Sequence, residues 1–301
     1  MRLETLPQGL PILPPRDPHS HKGTYGRALL VGGSLGMPGS ISLSGRACLK
    51  AGAGLVTVAV PDAIINTVAT FDPAYMTWPL PTDREGRVPL HARNELRPKV
   101  EQADCMAVGP GLGQSRGLFL LVSELFEQFK KPLVVDADGL NLLSQREMPL
   151  AGAEGPRVLT PHLGEFRRLT RSPELTMQDA AREAVRLAAK HNVVIVLKGA
   201  QTLVTDGKCQ WRNPTGNPGL ATGGTGDVLT GLLTGILAQG LAAYEAAVLA
   251  TYLHGLAADI AVERTSQPGL TATDLVAFLE AAWLHYAQQR DQKSVNGFST
   301  D

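Results

Sequence analysis

Short unbroken runs of apolar residues alternate with longer stretches of helical period through most of the chain. The apolar runs at 28–31, 55–60, 105–108, 133–135, 158–159, 193–197 and 202–204 predict strands. Several consist of Val, Leu and Ile without polar interruption, the pattern of strands buried on both faces of a parallel sheet. Helical spacing predicts helices over 40–51, 118–130, 178–190, 228–239, 243–263 and 274–289. This alternation predicts an open α/β sandwich built on a mostly parallel sheet. The C-terminal third is expected to carry no strand after 204, and its three helices to cover one face of the sheet.

Composition narrows the picture. The 301 residues include 28 Lys and Arg against 28 Asp and Glu, a net charge of zero. Nucleic-acid and anionic-membrane partners both call for a basic excess, so neither is expected. Pro11–Pro18 and the polar tail mark flexible ends, about 1–20 and 290–301, around one domain. The loop at 148–156 is too short to separate two domains. Three widely spaced cysteines, Cys48, Cys105 and Cys209, predict buried reduced thiols rather than a disulfide framework or zinc site. The N-terminus is broken by prolines, unlike a signal peptide. The longest apolar stretch, 241–262, is interrupted by Glu245, His254 and Asp259, which predicts a buried helix rather than a membrane span. A cytoplasmic location follows as the expectation. The 32 Gly and 21 Pro are in excess for a packed protein and call for tight turns or backbone-lined ligand sites.

Much of that glycine follows predicted strands. Gly32-Gly33-Ser34 ends the first, and Pro38-Gly39-Ser40 opens the next helix. This is either a plain strand-to-helix turn or a ligand site at a strand's carboxyl end. Ala51-Gly52-Ala53-Gly54 reads as a helix cap. Gly109-Pro110-Gly111-Leu112-Gly113 is not a dinucleotide fingerprint, because Arg116 stands where a third glycine belongs, and no Walker-type loop exists. Asp136 and Asp138 close a buried strand. Asp138 is expected to cap the helix holding Asn141 and Leu142, and Asp136 is a candidate for metal proximity or ligand contact. His162 follows Thr160-Pro161 at another strand end, with Glu165 in the next helical turn, and is either a satisfied polar group or a ligand contact. Lys198-Gly199-Ala200-Gln201-Thr202 joins two strands through a turn suited to a phosphate or nucleotide, or forms an ordinary exposed hairpin.

The most informative segment is Asn213-Pro214-Thr215-Gly216-Asn217-Pro218-Gly219-Leu220-Ala221-Thr222-Gly223-Gly224-Thr225-Gly226-Asp227. Successive glycine amides before a helix that starts near Asp227 make an anion hole from Gly224, Thr225 and Gly226. A carboxylate at its edge suits a base that takes a proton from a hydroxyl attacking a phosphoryl group. The plainer reading of Asp227 as a dipole partner leaves Thr-Gly-Gly-Thr-Gly unexplained.

Gly-Gly-Thr-Gly-Asp-Val-Leu-Thr-Gly resembles the anion-hole and base motif of the ribokinase-like superfamily. Together with HKGTYG, GAGLVTVAVP, VGPGLG, VVDADGL, TPHLGE, LKGAQTLVTDG and TYLHGLAAD, it resembles the ADP-dependent NAD(P)H-hydrate dehydratases from about Lys22 to Asp259. The resemblance implies a ribokinase-like three-layer sandwich and a repair lyase. Such a lyase dehydrates the (6S) hydrate of NADH or NADPH with ADP, giving AMP and phosphate. It implies nucleotide contacts at Lys198, Gly199, Ala200, Gln201, Thr202 and Gly226, substrate contacts at Ser40, Gly111, His162 and Asp227, and Asp227 as catalytic base. The family usually has Ala where this chain has Ser40, which is expected to keep a contact made through backbone and small size. Mg²⁺ as phosphate counter-ion, a homotetramer and a separate epimerase chain are further implications, since this length leaves no room for the epimerase domain of some bacterial relatives. No metal ligand is assigned in the chain.

A ribokinase-like kinase for a hydroxymethylpyrimidine or sugar would use the same hole and base; VGPGLG and TPHLGE favour the dehydratase. A regulator without chemistry is disfavoured by the intact Asp227, and a NAD-dependent dehydrogenase by the missing fingerprint.

Overall fold

The structure, a computed structural model, describes residue 7 and residues 9–296, with side chains through 290. Residues 1–6, 8 and 297–301, parts of the ends expected to be flexible, lie outside the described residues. Within the described part, the chain near Pro11 and Leu13 is fastened by Tyr286, whose hydroxyl donates to the Pro11 carbonyl (2.9 Å) and accepts from the Leu13 amide (3.0 Å).

Among the described residues nine strands form one sheet: β1 Arg27–Val31, β2 Leu55–Pro61, β3 Met76–Leu80, β4 Cys105–Val108, β5 Leu133–Val135, β6 Arg157–Leu159, β7 Val194–Leu197, β8 Leu203–Thr205 and β9 Gln210–Arg212. Their order is β3-β2-β1-β4-β5-β6-β7-β8-β9. The pairings from β3 to β7 are parallel, and β7-β8-β9 is an antiparallel meander. The seven predicted strands are all present. The two that went unrecognised are the edges. β3 carries Pro79 and leaves Met76 exposed, while β9 is Gln-Trp-Arg, so neither shows the apolar run of a central strand. The C-terminal third therefore does hold one further strand, β9, contrary to expectation.

The helices are α1 Pro38–Lys50, α2 Ile65–Ala69, α3 Ala92–Gln102, α4 Arg116–Gln128, α5 Asp138–Leu143, α6 Leu163–Thr170, α7 Met177–His191, α8 Thr225–Ala238, α9 Ala243–Ala261 and α10 Ala272–Asn296. The six predicted helices correspond to α1, α4, α7, α8, α9 and α10. The shorter α2, α5 and α6 give too few turns for a period, and α3 buries little beyond Ala92 and Leu96.

Alternate residues of each central strand enter two separate cores. Leu30, Val58, Ala107, Val134 and Val196 pack under α1, α8, α9 and α10, whereas Leu29, Ala59, Met106, Val135 and Leu197 pack under α3 to α7. The C-terminal helices thus share one face, as expected, and the result is the three-layer sandwich. In the first layer α1 packs directly against α8. At Gly231 any Cβ would lie 2.0 Å from the Ser44 carbonyl oxygen, so only glycine lets α8 approach α1 this closely. Cys48 and Cys105 are buried, but Cys209 is exposed, which corrects the expectation for that residue: it sits in the polar β8–β9 turn. Among the described residues no helix is long and apolar enough to cross a membrane.

Candidate active site

The strand order reverses between β1 and β4. The connection leaving β1 enters α1 on one face, while that leaving β4 enters α4 on the other. A crevice opens beyond the carboxyl ends of two strands whose connections diverge in this way, and ligands of open α/β sheets bind there. Here the glycine loops of the two strands hold each other: the Gly33 amide donates to the Pro110 carbonyl (2.8 Å) and the Ser34 hydroxyl to the Gly111 carbonyl (2.7 Å). Gly111 has φ +61, and a Cβ on it would stand 2.9 Å from both the Met37 carbonyl oxygen and the Ser40 Cβ. Gly111 and Ser40, far apart in sequence, are therefore neighbours.

Further along the same edge, Asp136 follows β5 and Lys198 follows β7. Asp136 is 1% exposed, a costly place for a carboxylate without partners. It has two: Lys198 Nζ lies 2.7 Å from Oδ1, and the Thr230 hydroxyl donates to Oδ2 at 2.7 Å. Glu165, also buried, lies 3.7 Å from Lys198 Nζ. Burial alone would lower the Lys198 ammonium; Asp136 and Glu165 outweigh it and hold the group above its ordinary value. Lys198 thus remains charged at the floor of the site.

His162 caps α6. Its Nδ1 accepts from the Glu165 amide (3.2 Å), and its own amide donates to the Glu165 carboxylate (2.8 Å), a reciprocal capping box. Its imidazole is about half exposed and its backbone bridges to Lys198. Structural cap and exposed ring coexist in one residue.

The anion-hole segment lies where α8 begins. Gly224 is the left-handed N-cap residue (φ +89), and the helix starts at Thr225, two residues earlier than expected. First-turn amides have no intrahelical acceptor, so those of Thr225, Gly226 and Asp227 are free for an anion. The loop is rigidly tied. The Thr225 hydroxyl donates to the carbonyls of Leu220 (2.9 Å) and Thr222 (3.0 Å), and Ser44 donates to the Asp227 carbonyl (2.8 Å). Burial pushes the Asp227 carboxyl up to about 6, and the Asp136 charge adds to this; the Ser40 hydroxyl and Lys198 pull the other way. A carboxylate tuned to that range is suited to taking a proton near neutral pH.

A cavity of about 670 Å³ adjoins this helix start. Its lining includes Lys198, Gly199, Ala200, Gln201, Thr202 and Gly226, all six residues expected to contact nucleotide. Ser40, Gly111, His162 and Asp227 are not in that lining; Ser40 and Gly111 adjoin each other at the crevice, Asp227 follows Gly226 and is hydrogen-bonded by the Ser40 hydroxyl, and His162 stands beside Lys198. The cavity also takes in Asn213, Thr215, Thr251 and His254, which sequence reading left without a role. His254 belonged to the TYLHGLAAD motif, but its place in an apolar helix gave no sign of which way it faced.

Asp138 does not cap α5. The helix starts at Asp138 itself, after Ala137, and the carboxylate instead accepts from the Gly113 amide (2.8 Å), pinning the loop after β4 to α5. Among the described residues no group of three or more His, Cys, Asp or Glu is placed to hold a metal ion. Both oxygens of Asp136 are engaged, Oδ1 by Lys198 and Oδ2 by Thr230.

A family model described as NAD(P)H-hydrate dehydratase matches residues 28–280. The chain is 37% identical over 278 residues to the ADP-dependent (S)-NAD(P)H-hydrate dehydratase of Bacillus subtilis, covering 91% of this chain and 95% of that one. It is 44% identical over 270 residues to a bifunctional NAD(P)H-hydrate repair enzyme of Moorella thermoacetica, covering 89% of this chain. The chain spans about half the length of such bifunctional relatives, 51% in that instance. In structure it is similar to a Bacillus subtilis ADP/ATP-dependent NAD(P)H-hydrate dehydratase co-crystallized with ATP and Mg²⁺, with a TM-score of 0.77 and 35% identity over 91% of this chain and 94% of that one.

Proposed function

This chain belongs to the NAD(P)H-hydrate dehydratase family, and we propose that it returns the (6S) hydrate of NADH or NADPH to the reduced cofactor, consuming ADP and releasing AMP and phosphate. The observation that carries this reading is the position of Asp227. It stands between a cavity lined by the six nucleotide candidates and a crevice that brings Ser40 and Gly111 together.

The chemistry follows from that position. Hydroxide is a poor leaving group, and phosphorylation of the ring hydroxyl makes a better one. ADP occupies the cavity against Lys198–Thr202 and Gly226, and the hydrate lies on the side of Ser40, Gly111 and His162. Asp227 takes the proton of the ring hydroxyl as its oxygen attacks the β-phosphorus, and AMP leaves. The free amides of Thr225 and Gly226, at the positive end of α8, stabilise charge on the transferring group. The ring nitrogen's lone pair then expels phosphate, and loss of a ring proton restores the double bond. Lys198, kept charged by Asp136 and Glu165, neutralises the nucleotide's phosphates.

Magnesium, in this reading, travels with the nucleotide as a counter-ion, held mainly by phosphate oxygens and water. We assign the chain to one domain acting as a homotetramer in the cytoplasm, with an epimerase on a separate chain supplying the reactive epimer.

The test supplies hydrated NADH with ADP and Mg²⁺ and follows the reduced-nicotinamide absorbance. Its return with ADP supports the lyase; no return with ADP or ATP overturns it. Net phosphorylation of an alcohol without elimination would instead identify a kinase.

A further inference from the structure

His254, in the middle of α9, is not used in the chemistry above, yet its imidazole lines the same cavity as Lys198, Thr225 and Gly226. Its Nε2 lies 2.8 Å from the Thr225 carbonyl oxygen. A carbonyl can only accept, so Nε2 carries a proton. Burial lowers the ring to about 4, with Lys198 adding to the effect and the Thr225 hydrogen bond opposing it. The imidazole is therefore neutral at physiological pH, its one proton is on Nε2, and Nδ1 is a bare acceptor. Among the described residues no donor pairs with Nδ1.

Nearly everything else the site offers a nucleotide phosphate is a donor: the Lys198 ammonium and the first-turn amides of α8. A bare acceptor is useless there, because phosphate oxygens only accept. It suits a ligand group that carries a hydrogen, and a nucleotide has two kinds, the ribose hydroxyls and any exocyclic amine of the base. Position separates them. His254 bonds to Thr225, the residue immediately before Gly226 at the anion hole, and in a nucleotide the group next to the phosphates is the sugar.

We propose that His254 Nδ1 accepts a hydrogen bond from a ribose hydroxyl of the bound nucleotide, while Nε2–H locks the start of α8 through the Thr225 carbonyl. One imidazole then couples the sugar's position to the anion hole. The proposal rests on the nucleotide reading of this cavity.

The test compares binding of ADP, 2′-deoxy-ADP and 3′-deoxy-ADP by calorimetry to the full chain and to a His254→Phe variant, which keeps ring volume without either nitrogen. The wild type is expected to bind one of the deoxynucleotides about fivefold more weakly than ADP, the worth of a single hydrogen bond. In the variant that penalty disappears. A penalty of the same size in both proteins overturns the proposal, and so does its absence in the wild type. Equal weakening of all three nucleotides by the substitution also overturns it, leaving His254 only a support for Thr225. Inosine diphosphate is run alongside; if its penalty is the one that vanishes, the contact is to the base and the proposal fails. Should the variant not fold, ¹⁵N-histidine spectra of the wild type decide. The Nδ1 resonance should move on adding ADP and stay in place with the deoxynucleotide lacking the contacted hydroxyl; identical movement with all three overturns the proposal. If the wild type binds no ADP at all, the nucleotide reading itself falls, a result distinct from a missing deoxy penalty.

Discussion

Lys198 Nζ sits 2.7 Å from Asp136 Oδ1, joining the ends of β7 and β5 across the intervening β6. Both groups are largely withdrawn from water, and Glu165 lies within 3.7 Å of the same ammonium. Removing one partner of a buried pair leaves an uncompensated charge, at a cost of about 3–5 kcal/mol. Lys198→Met should lower stability by that order in denaturant titration and abolish nucleotide binding. Adding Asp136→Asn should recover part of the stability and none of the binding. A single variant as stable as the wild type would show that the pair is not a structural element of the site.

Asp227 has a pH signature of its own. Its carboxyl is pushed up to about 6, chiefly by burial, and a base must be ionised. Turnover should therefore fall as pH drops through about 6, well above the ordinary carboxylate range near ~4. Stability should run the other way. A raised carboxyl binds its proton more tightly in the folded state, so the folded protein gains stability as pH falls from about 6 toward the unfolded value of about 4. Asp227→Asn should stabilise the protein above pH 6, by at most about 2 kcal/mol after allowing for partial exposure, with the gain fading toward pH ~4. Thermal melts across pH check this, and a gain that persists unchanged at low pH would contradict it.

Two glycines of α8 should behave in opposite ways. A Cβ on Gly226 would meet the Lys198 Nζ at 3.3 Å and Asp136 Oδ2 at 3.8 Å, whereas one on Gly231 would meet the Ser44 carbonyl at 2.0 Å. Gly226→Ala should leave melting nearly unchanged but weaken ADP binding by roughly tenfold, because the anion-facing amide is crowded. Gly231→Ala should cost about 3 kcal/mol of stability by forcing α1 from α8. Similar losses of stability in both variants would remove the distinction between a ligand-facing glycine and a packing glycine.

How much of this was legible in the sequence follows from where each signal resides. Unbroken Val and Leu runs identify the central strands because both their faces are buried; the edges β3 and β9 carry Pro79 and Trp211 among polar neighbours and lack that signature. Local sequence singled out the glycines that lead into α8 and Asp227 in its first turn, since glycines before a helix act where they stand. The Lys198, Asp136 and Glu165 cluster could not be read, because its members lie after three different strands and meet only through the sheet order. Asp136 stood out as a buried charge without a visible partner, and the fold supplies two, Lys198 and Thr230. His254 was hidden inside an apolar helix, where position in sequence does not say which face opens on a cavity.

Under the proposed function, phosphoryl transfer through Asp227 is a step within dehydration rather than the end of the reaction. The most direct measurement quantifies AMP, inorganic phosphate and restored NADH together while hydrated NADH is supplied with ADP and Mg²⁺. Equal amounts of all three are predicted for the wild type, with Asp227→Asn slowing their appearance by roughly 10²–10⁴-fold while still binding ADP. AMP formed without matching NADH and phosphate, or near-normal turnover in the Asp227 variant, would contradict the account.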